Sequence, residues 1–259
     1  MKSRVALALV ALREPKLPTA DQFEDYLGEH WPDAPEIRPA EEVPTPDGEQ
    51  AEGIEVFRFG DGLAAVSLMN SPIPFEDLEF PCWAAWYWPT AEQEMRTHNS
   101  HLLVALVDGP DDPIERHRHL TQLVASAAGL TDAVGIFWGS GGSVHETQAF
   151  LDSARQMSAE VLPLELWVAV RFAPEDDDSV SCITDGLEEF GLNEIEVVSS
   201  RREPQTLLEY LYNVAYYLIE NGPVIHDGET IGLTEDERFL VTFGESRLTD
   251  RPRVMRIEL

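Results

Sequence analysis

Ile54, Val56 and Phe57 lead through Phe59 into Gly60-Asp61-Gly62, and the apolar run Leu63 to Met69 follows at once. Two apolar runs joined by an Asp-Gly turn predict a β-hairpin, which commits this part of the chain to antiparallel pairing. Val5 to Leu12, rich in Val, Leu and Ala, predicts a strand before the hairpin. His101 to Val107 and Ala133 to Trp138 predict two more after it.

Between these strands the spacing switches to a helical period. Thr19 and Gln22 have capping-box spacing, Phe23, Tyr26 and Leu27 follow, and Gly28 with Pro32 closes the helix. Pro89-Thr90-Ala91-Glu92-Gln93 nearly repeats the Pro18 to Gln22 start. Pro113 is placed to open a helix through Leu120, Leu123 and Val124. Ser143 and Glu146 again have capping-box spacing and predict a helix through Phe150 and Leu151. Leu164 to Phe172 predicts a strand, and Pro204 to Asn221 a long helix stopped by Gly222-Pro223. Short strands at Val224-Ile225, Phe239 to Phe243 and Val254 to Leu259 end the chain. Met69 to Pro74 must be extended, and Pro35 to Gly53 predicts an exposed connection.

The expected class is α+β, with ferredoxin-like β-α-β-β-α-β elements, mixed or antiparallel sheets and helices packed on one face. A single mixed sheet with helices on both sides is the alternative. The strand exits Val10 to Pro15 and Val168 to Pro174 both leave through Arg and Pro toward a helix. Two related halves, 1–160 and 161–259, are therefore an open reading beside one compact domain.

Charge speaks to partners rather than to fold. Lys2 and Lys16 are the lysines among 18 basic side chains, set against 48 carboxylates, and the formal net charge is -30. Such a surface repels phosphate backbones and anionic lipid, and favours basic partners or a cell interior rich in salt. No basic patch interleaved with aromatics points to nucleic acid, and no apolar stretch has transmembrane length. The apolar run after Lys2 and Arg4 is short and ends at Arg13-Glu14-Pro15 without a small-residue cleavage site, so a buried strand is expected there rather than a secretion signal. Cys82 and Cys182 are expected as reduced, buried thiols of a cytoplasmic protein.

Several passages together resemble a bacterial family described as domain of unknown function 4261. They are Met69 to Pro74, Trp88-Pro89 followed by His98 and His101 to Ala105, Ala133 to Trp138, and Asn221-Gly222 leading to Asp227 to Gly232. The likeness runs over most of the chain. It implies no cofactor, activity or catalytic residue.

Four groups of residues are candidates for chemistry or recognition. His98 and His101 have a spacing that can bring two imidazoles toward a metal, but no third ligand is fixed and the helix end suits His98 without one. No metal is assigned. Gly139, Gly141, Gly142 and Ser143 follow a strand and are expected to open a helix, a setting for an anion, with a turn capped by Ser143 as the plainer reading. His117 and His119, beside Arg116, are expected on a solvated helix face. The acidic clusters around Asp108 to Asp112 and Glu175 to Asp178 are expected to be solvated loops. Trp83, Trp86, Tyr87 and Trp88 cannot all point inward, which leaves core or interface open for each.

No Gly-x-Ser-x-Gly elbow is present and neither cysteine has an activating base beside it. The expectation is a non-enzymatic, immunity-like or regulatory factor that binds a basic protein and needs no cofactor. Two alternatives stand beside it: a metal-dependent hydrolase using His98 and His101, and an acidic, salt-adapted protein with a small-ligand pocket. The oligomeric state is not legible.

Overall fold

The computed structural model describes residues 5–40, 53–175, 178–234 and 236–259. Lys2, Arg4, most of the expected connection between Pro35 and Gly53, and Asp176 and Asp177 of the second acidic cluster lie outside them. The chain divides into two compact units, Met1–Leu166 and Trp167–Leu259.

The first unit runs β1 (Val5–Leu12), α1 (Ala20–His30), β2 (Ile37–Pro39), β3 (Ile54–Phe59), β4 (Gly62–Met69), α2 (Phe75–Ala84), α3 (Ala91–Met95), β5 (Ser100–Val107), α4 (Pro113–Gly129), β6 (Ala133–Trp138), β7 (Ser143–Glu146), α5 (Thr147–Gln156) and the start of α6 (Leu164–Trp167), whose last residue opens the second unit. Among the described residues its sheet has the order β2-β3-β4-β5-β1-β6-β7, with each neighbouring pair antiparallel. Within it β1, α1, β4, β5, α4 and β6 form the expected β-α-β-β-α-β unit, with the central order β4-β5-β1-β6. The β2-β3 pair extends one edge and β7 the other.

Local signals explain the framework. The Thr19 hydroxyl accepts from the Gln22 N–H while the Gln22 side chain accepts from the Thr19 N–H, a complete capping box for α1. Phe59 pairs with Gly62 across Gly60-Asp61, and Gly60 has φ +58°, which glycine adopts without strain.

The two faces of this sheet differ. Ala8, Val10, Val104, Leu106, Val66, Phe57 and Trp138 share one face by register. It is covered by α1 through Phe23 against Phe57, by α4 through His119 against Phe59, and by α5 through Phe150 against Trp138. The opposite face carries Leu9 and Ala11, which pack with Leu78 and Cys82 of α2 and Met95 of α3. Helices therefore lie on both faces here, not on one. The uncovered remainder of the second face leaves Val5, Leu7, Ile54 and Met69 exposed.

The second unit runs β8 (Ala169–Pro174), β9 (Val180–Asp185), a 3-10 turn (Leu187–Phe190), β10 (Ile195–Ser200), α7 (Pro204–Asn221), β11 (Thr230–Ile231), β12 (Phe239–Gly244) and β13 (Val254–Ile257). Its sheet order is β11-β12-β13-β10-β9-β8, and β10 pairs with β13 in parallel. Strand order and direction thus differ from those of the first sheet. α7 buries Leu207, Leu211, Val214 and Leu218, the stripe expected from its spacing.

Three expectations need correction. Leu164–Trp167 is a helical turn and the strand starts at Ala169. Val224-Ile225 is not a strand. Ser143 opens no helix: it starts β7, pairs with Trp138, and leaves the cap of α5 to Glu146, whose carboxylate accepts from the Ala149 N–H at 2.7 Å. No helix among the described residues is long and apolar enough to cross a membrane.

Candidate functional site

His98 follows α3, and His101 lies second in β5. The Ile73 N–H donates to His98 Nε2 at 2.7 Å, so the His98 Nδ1–H donates to the Met95 carbonyl. His101 Nδ1 donates to the Ser71 carbonyl at 2.8 Å. Burial lowers the His101 pKa, and the Ser71 carbonyl opposes that shift. The two rings hold the extended segment 71–73 against the sheet. Both nitrogens of His98 are engaged by backbone, which leaves no lone pair for a metal. No group of three His, Cys, Asp or Glu side chains among the described residues is placed to hold a metal ion.

Gly139, Gly141 and Gly142 form the turn between β6 and β7, not the entry to a helix. The amides of a helix N-terminus, the basis of the anion reading, are absent at this place. A Cβ on Gly139 would stand 2.7 Å from the Leu7 carbonyl oxygen, so this glycine is required by close backbone approach. Ser143 Oγ lies 2.9 Å from His145 Nε2, and His145 bonds the Leu166 carbonyl. The ring thus accepts a hydrogen bond from the serine hydroxyl and donates its own N–H to the Leu166 carbonyl. Burial pushes His145 down to about 4, so it stays neutral and is a weak base at neutral pH. A buried serine beside a weak base is a structural pair.

His117 is buried in α4 rather than on a solvated face, as is Arg116, whose guanidinium donates to the Pro110 and Asp111 carbonyls. The helix is clasped against the sheet on the side where His117 meets Trp138, with ring centroids 6.1 Å apart. Burial also pushes the thiols up, Cys82 to about 11 and Cys182 to about 12, so neither is a ready nucleophile.

The aromatic group divides. Trp88 is buried and its indole N–H donates to Glu94 at 3.3 Å. Tyr87 donates its hydroxyl to the Val144 carbonyl at 2.7 Å, and burial raises its pKa. Trp83 is 70% exposed and Trp86 50%. The helix α2 explains this arrangement: Leu78, Pro81 and Cys82 take the inner face, which turns Phe80 and Trp83 outward. Their ring centroids are 5.7 Å apart. Glu76, Asp77 and Glu79 are exposed on the same helix. Phe80 was missed in the sequence because Pro81 and the lack of a capping side chain disguise α2 as a loop. The result is a surface of flat rings set among carboxylates, the arrangement that takes up guanidinium and ammonium groups by stacking and charge.

No curated protein and no solved structure matches the chain. Over residues 183–258, within the second unit, it matches the family model described as Domain of unknown function (DUF4261), which places that stretch in a domain-of-unknown-function family.

Proposed function

We propose that the protein acts by contact, as a non-enzymatic, immunity-like or regulatory factor that binds a basic protein through the α2 surface. The observation that carries this reading is Trp83, exposed beside Phe80 and one helical turn from Glu79. Exposed tryptophans are effective anchors at interfaces. A net charge of -30 speeds approach of a cationic partner and repels an anionic one. The apolar sheet residues Val5, Leu7 and Met69, exposed in the same unit, add area of the kind a partner covers.

The test uses a synthetic peptide alternating Arg and Leu, titrated into the full chain with tryptophan fluorescence as readout, and a Glu-Leu peptide as control. Saturable quenching by the Arg peptide, weakened in high salt and lost in Trp83→Ala, supports the reading. Equal binding of the Glu peptide, or unchanged binding by Trp83→Ala, overturns it.

A further inference from the structure

On the face of the first sheet that carries α2 and α3, those helices pack with Ala11, Val134 and Val144 of β1, β6 and β7, and the strip over β3, β4 and β5 lies beyond them. Register sets the side chains of this strip in rows. Leu7, Ala105, Ala65 and Val56 form one row, and Val5, Val107, Leu63, Arg58 and Arg38 the next. Ala65 and Ala105 meet at the centre, with Leu63 and Val107 on one side of them and Leu103 on the other, which leaves a shallow apolar trough. Val5, Leu7 and Ile54 at its margins are exposed. Strands lie about 4.8 Å apart, so the strip is about 10–15 Å wide, and one helix with its side chains is about 10–12 Å across. The eight residues of β4 run about 26 Å, the length of about 17 helical residues.

Charge marks one end of the strip. Arg58 and Arg38 stand directly opposite one another across β2 and β3, and both are exposed. Like charges so placed repel. Arg38 donates to the Gly60 carbonyl at 3.0 Å. Neither arginine is in an ion pair among the described residues, although the chain holds 48 carboxylates against 18 basic side chains. No carboxylate stands in these rows. A second copy laid face to face on the strip would therefore bring Arg58 no counter-charge.

We propose that this strip seats one amphipathic helix of a partner protein, lying along the strands, with its apolar stripe over Leu7, Ala65 and Ala105 and carboxylates at the end that reaches Arg58 and Arg38. Burial of the apolar stripe supplies the attraction, and the two guanidiniums fix which end of the helix lies where. The inference rests on the sheet alone and not on the α2 surface, whose carboxylates select the opposite charge.

Fluorescence anisotropy tests it on the full chain with a labelled, end-blocked peptide of that length, bearing leucine at helical spacing, alanine and glutamine elsewhere, and two glutamates in its first turn. The same peptide with glutamine in place of both glutamates is the control. Saturable binding of the glutamate peptide is expected, weakened by about tenfold or more in the control peptide and in Arg58→Gln, and lost in Ala65→Gln, which fills the trough. Arg58→Gln changes an exposed side chain and decides the matter if Ala65→Gln does not fold. No saturable binding, equal affinity for the two peptides, or wild-type affinity in Arg58→Gln overturns the proposal. So does a dimer in sedimentation velocity that Ala65→Gln dissociates, since a second copy would then hold the strip. Trp83→Ala is expected to bind the glutamate peptide as wild type does, which separates this result from that of the α2 surface; loss of binding in that variant would place the peptide on α2 and overturn the proposal.

Discussion

Glu196 and Arg256 stand directly opposite one another across the parallel β10–β13 pair, with Arg256 Nη2 and Nε each 2.8 Å from Glu196 Oε2. Glu196 has no solvent exposure. Its other oxygen accepts from the Ser246 hydroxyl and from the N–H groups of Arg247 at 2.8 Å and Leu248 at 3.2 Å. Burial alone would raise this carboxyl, but the bonds from Ser246, Arg256 and the Arg247 N–H outweigh it and leave the pKa lowered. A carboxyl lowered in the fold contributes stability above its ordinary range and loses it as the pH falls through the folded value. Glu196→Gln is expected to cost about 2–4 kcal/mol at neutral pH, because Arg256 is left without its counter-charge. Denaturant unfolding at neutral and acid pH checks both parts: the gap between variant and wild type should close as the solution is acidified.

Two residues earlier the sign reverses. Glu194 is fully buried and accepts from the Thr184 hydroxyl at 2.6 Å and from the Gly186 and Glu188 N–H groups. No arginine is within salt-bridge distance of it among the described ion pairs. Burial dominates and raises its pKa. A raised carboxyl stabilises the fold most at low pH, and that advantage fades as the pH rises from the ordinary carboxyl range through the folded value. Glu194→Gln removes a buried charge while keeping an acceptor for the two amides, so its cost at neutral pH is expected to be within about 1 kcal/mol. Side-by-side melts should rank Glu196→Gln well below Glu194→Gln; the reverse order would contradict the assigned partners.

His117 and His145 give the first unit an acid sensitivity of its own. Burial pushes each from the usual 6.5 down to about 4; the Pro113 and Leu166 carbonyls oppose the shift, and Arg116 adds to it at His117. In the unfolded chain both bind a proton near 6.5. Between that value and about 4 the unfolded state holds more protons, so stability falls with falling pH. Each histidine removes up to about 1.4 kcal/mol per pH unit in this window. The double variant His117→Gln, His145→Gln is expected to be less stable at neutral pH and to show a flatter pH dependence. An unchanged slope would mean that neither ring titrates in the fold as assigned.

His98 carries the loop before α2. Replacing it with Ala strands the Ile73 N–H and the Met95 carbonyl, both of which it now satisfies. The expected cost is about 1–3 kcal/mol, with the protease sensitivity of residues 70–74 raised. Zinc added to the wild type should leave the melting temperature unchanged, since a metal that bound the fold would raise it. A zinc-dependent rise lost in His98→Ala would revive a metal reading.

What was legible in the sequence was what neighbours in the chain decide among themselves. Thr19 and Gln22 cap α1 with no outside help, and Gly60-Asp61 turns the β3-β4 pair because glycine accepts a positive φ. What was not legible depended on distant partners. Ser143 and Glu146 have capping spacing, yet pairing of Ser143 with Trp138 draws the segment into β7. His117 looks solvated among Arg116 and Arg118, yet Trp138 covers it. The aromatic group shows the same limit: whether Trp83 or Trp88 faced inward depended on α2, which Pro81 conceals, and on the contact of Trp88 with Met95 and Val134. Tyr210 is buried against the ring of Phe239, with centroids 5.6 Å apart, a contact that no local pattern encodes.

Trp83 in α2 and Trp88 between α2 and α3 separate recognition from stability. Trp83 is 70% exposed, so Trp83→Ala removes little buried area and should change stability by less than about 0.5 kcal/mol. Trp88 is 5% exposed and packs with Leu78, Cys82 and Met95, so Trp88→Ala should cost about 3–5 kcal/mol through the cavity it leaves. Binding of the Arg-Leu peptide should follow the opposite order. It should be lost in Trp83→Ala at temperatures where that variant is fully folded, and kept by Trp88→Phe, which retains most of the buried ring. Thermal melts and fluorescence titrations on the same samples give both rankings, and parallel losses of stability and binding in the two variants would show that α2 matters for folding alone.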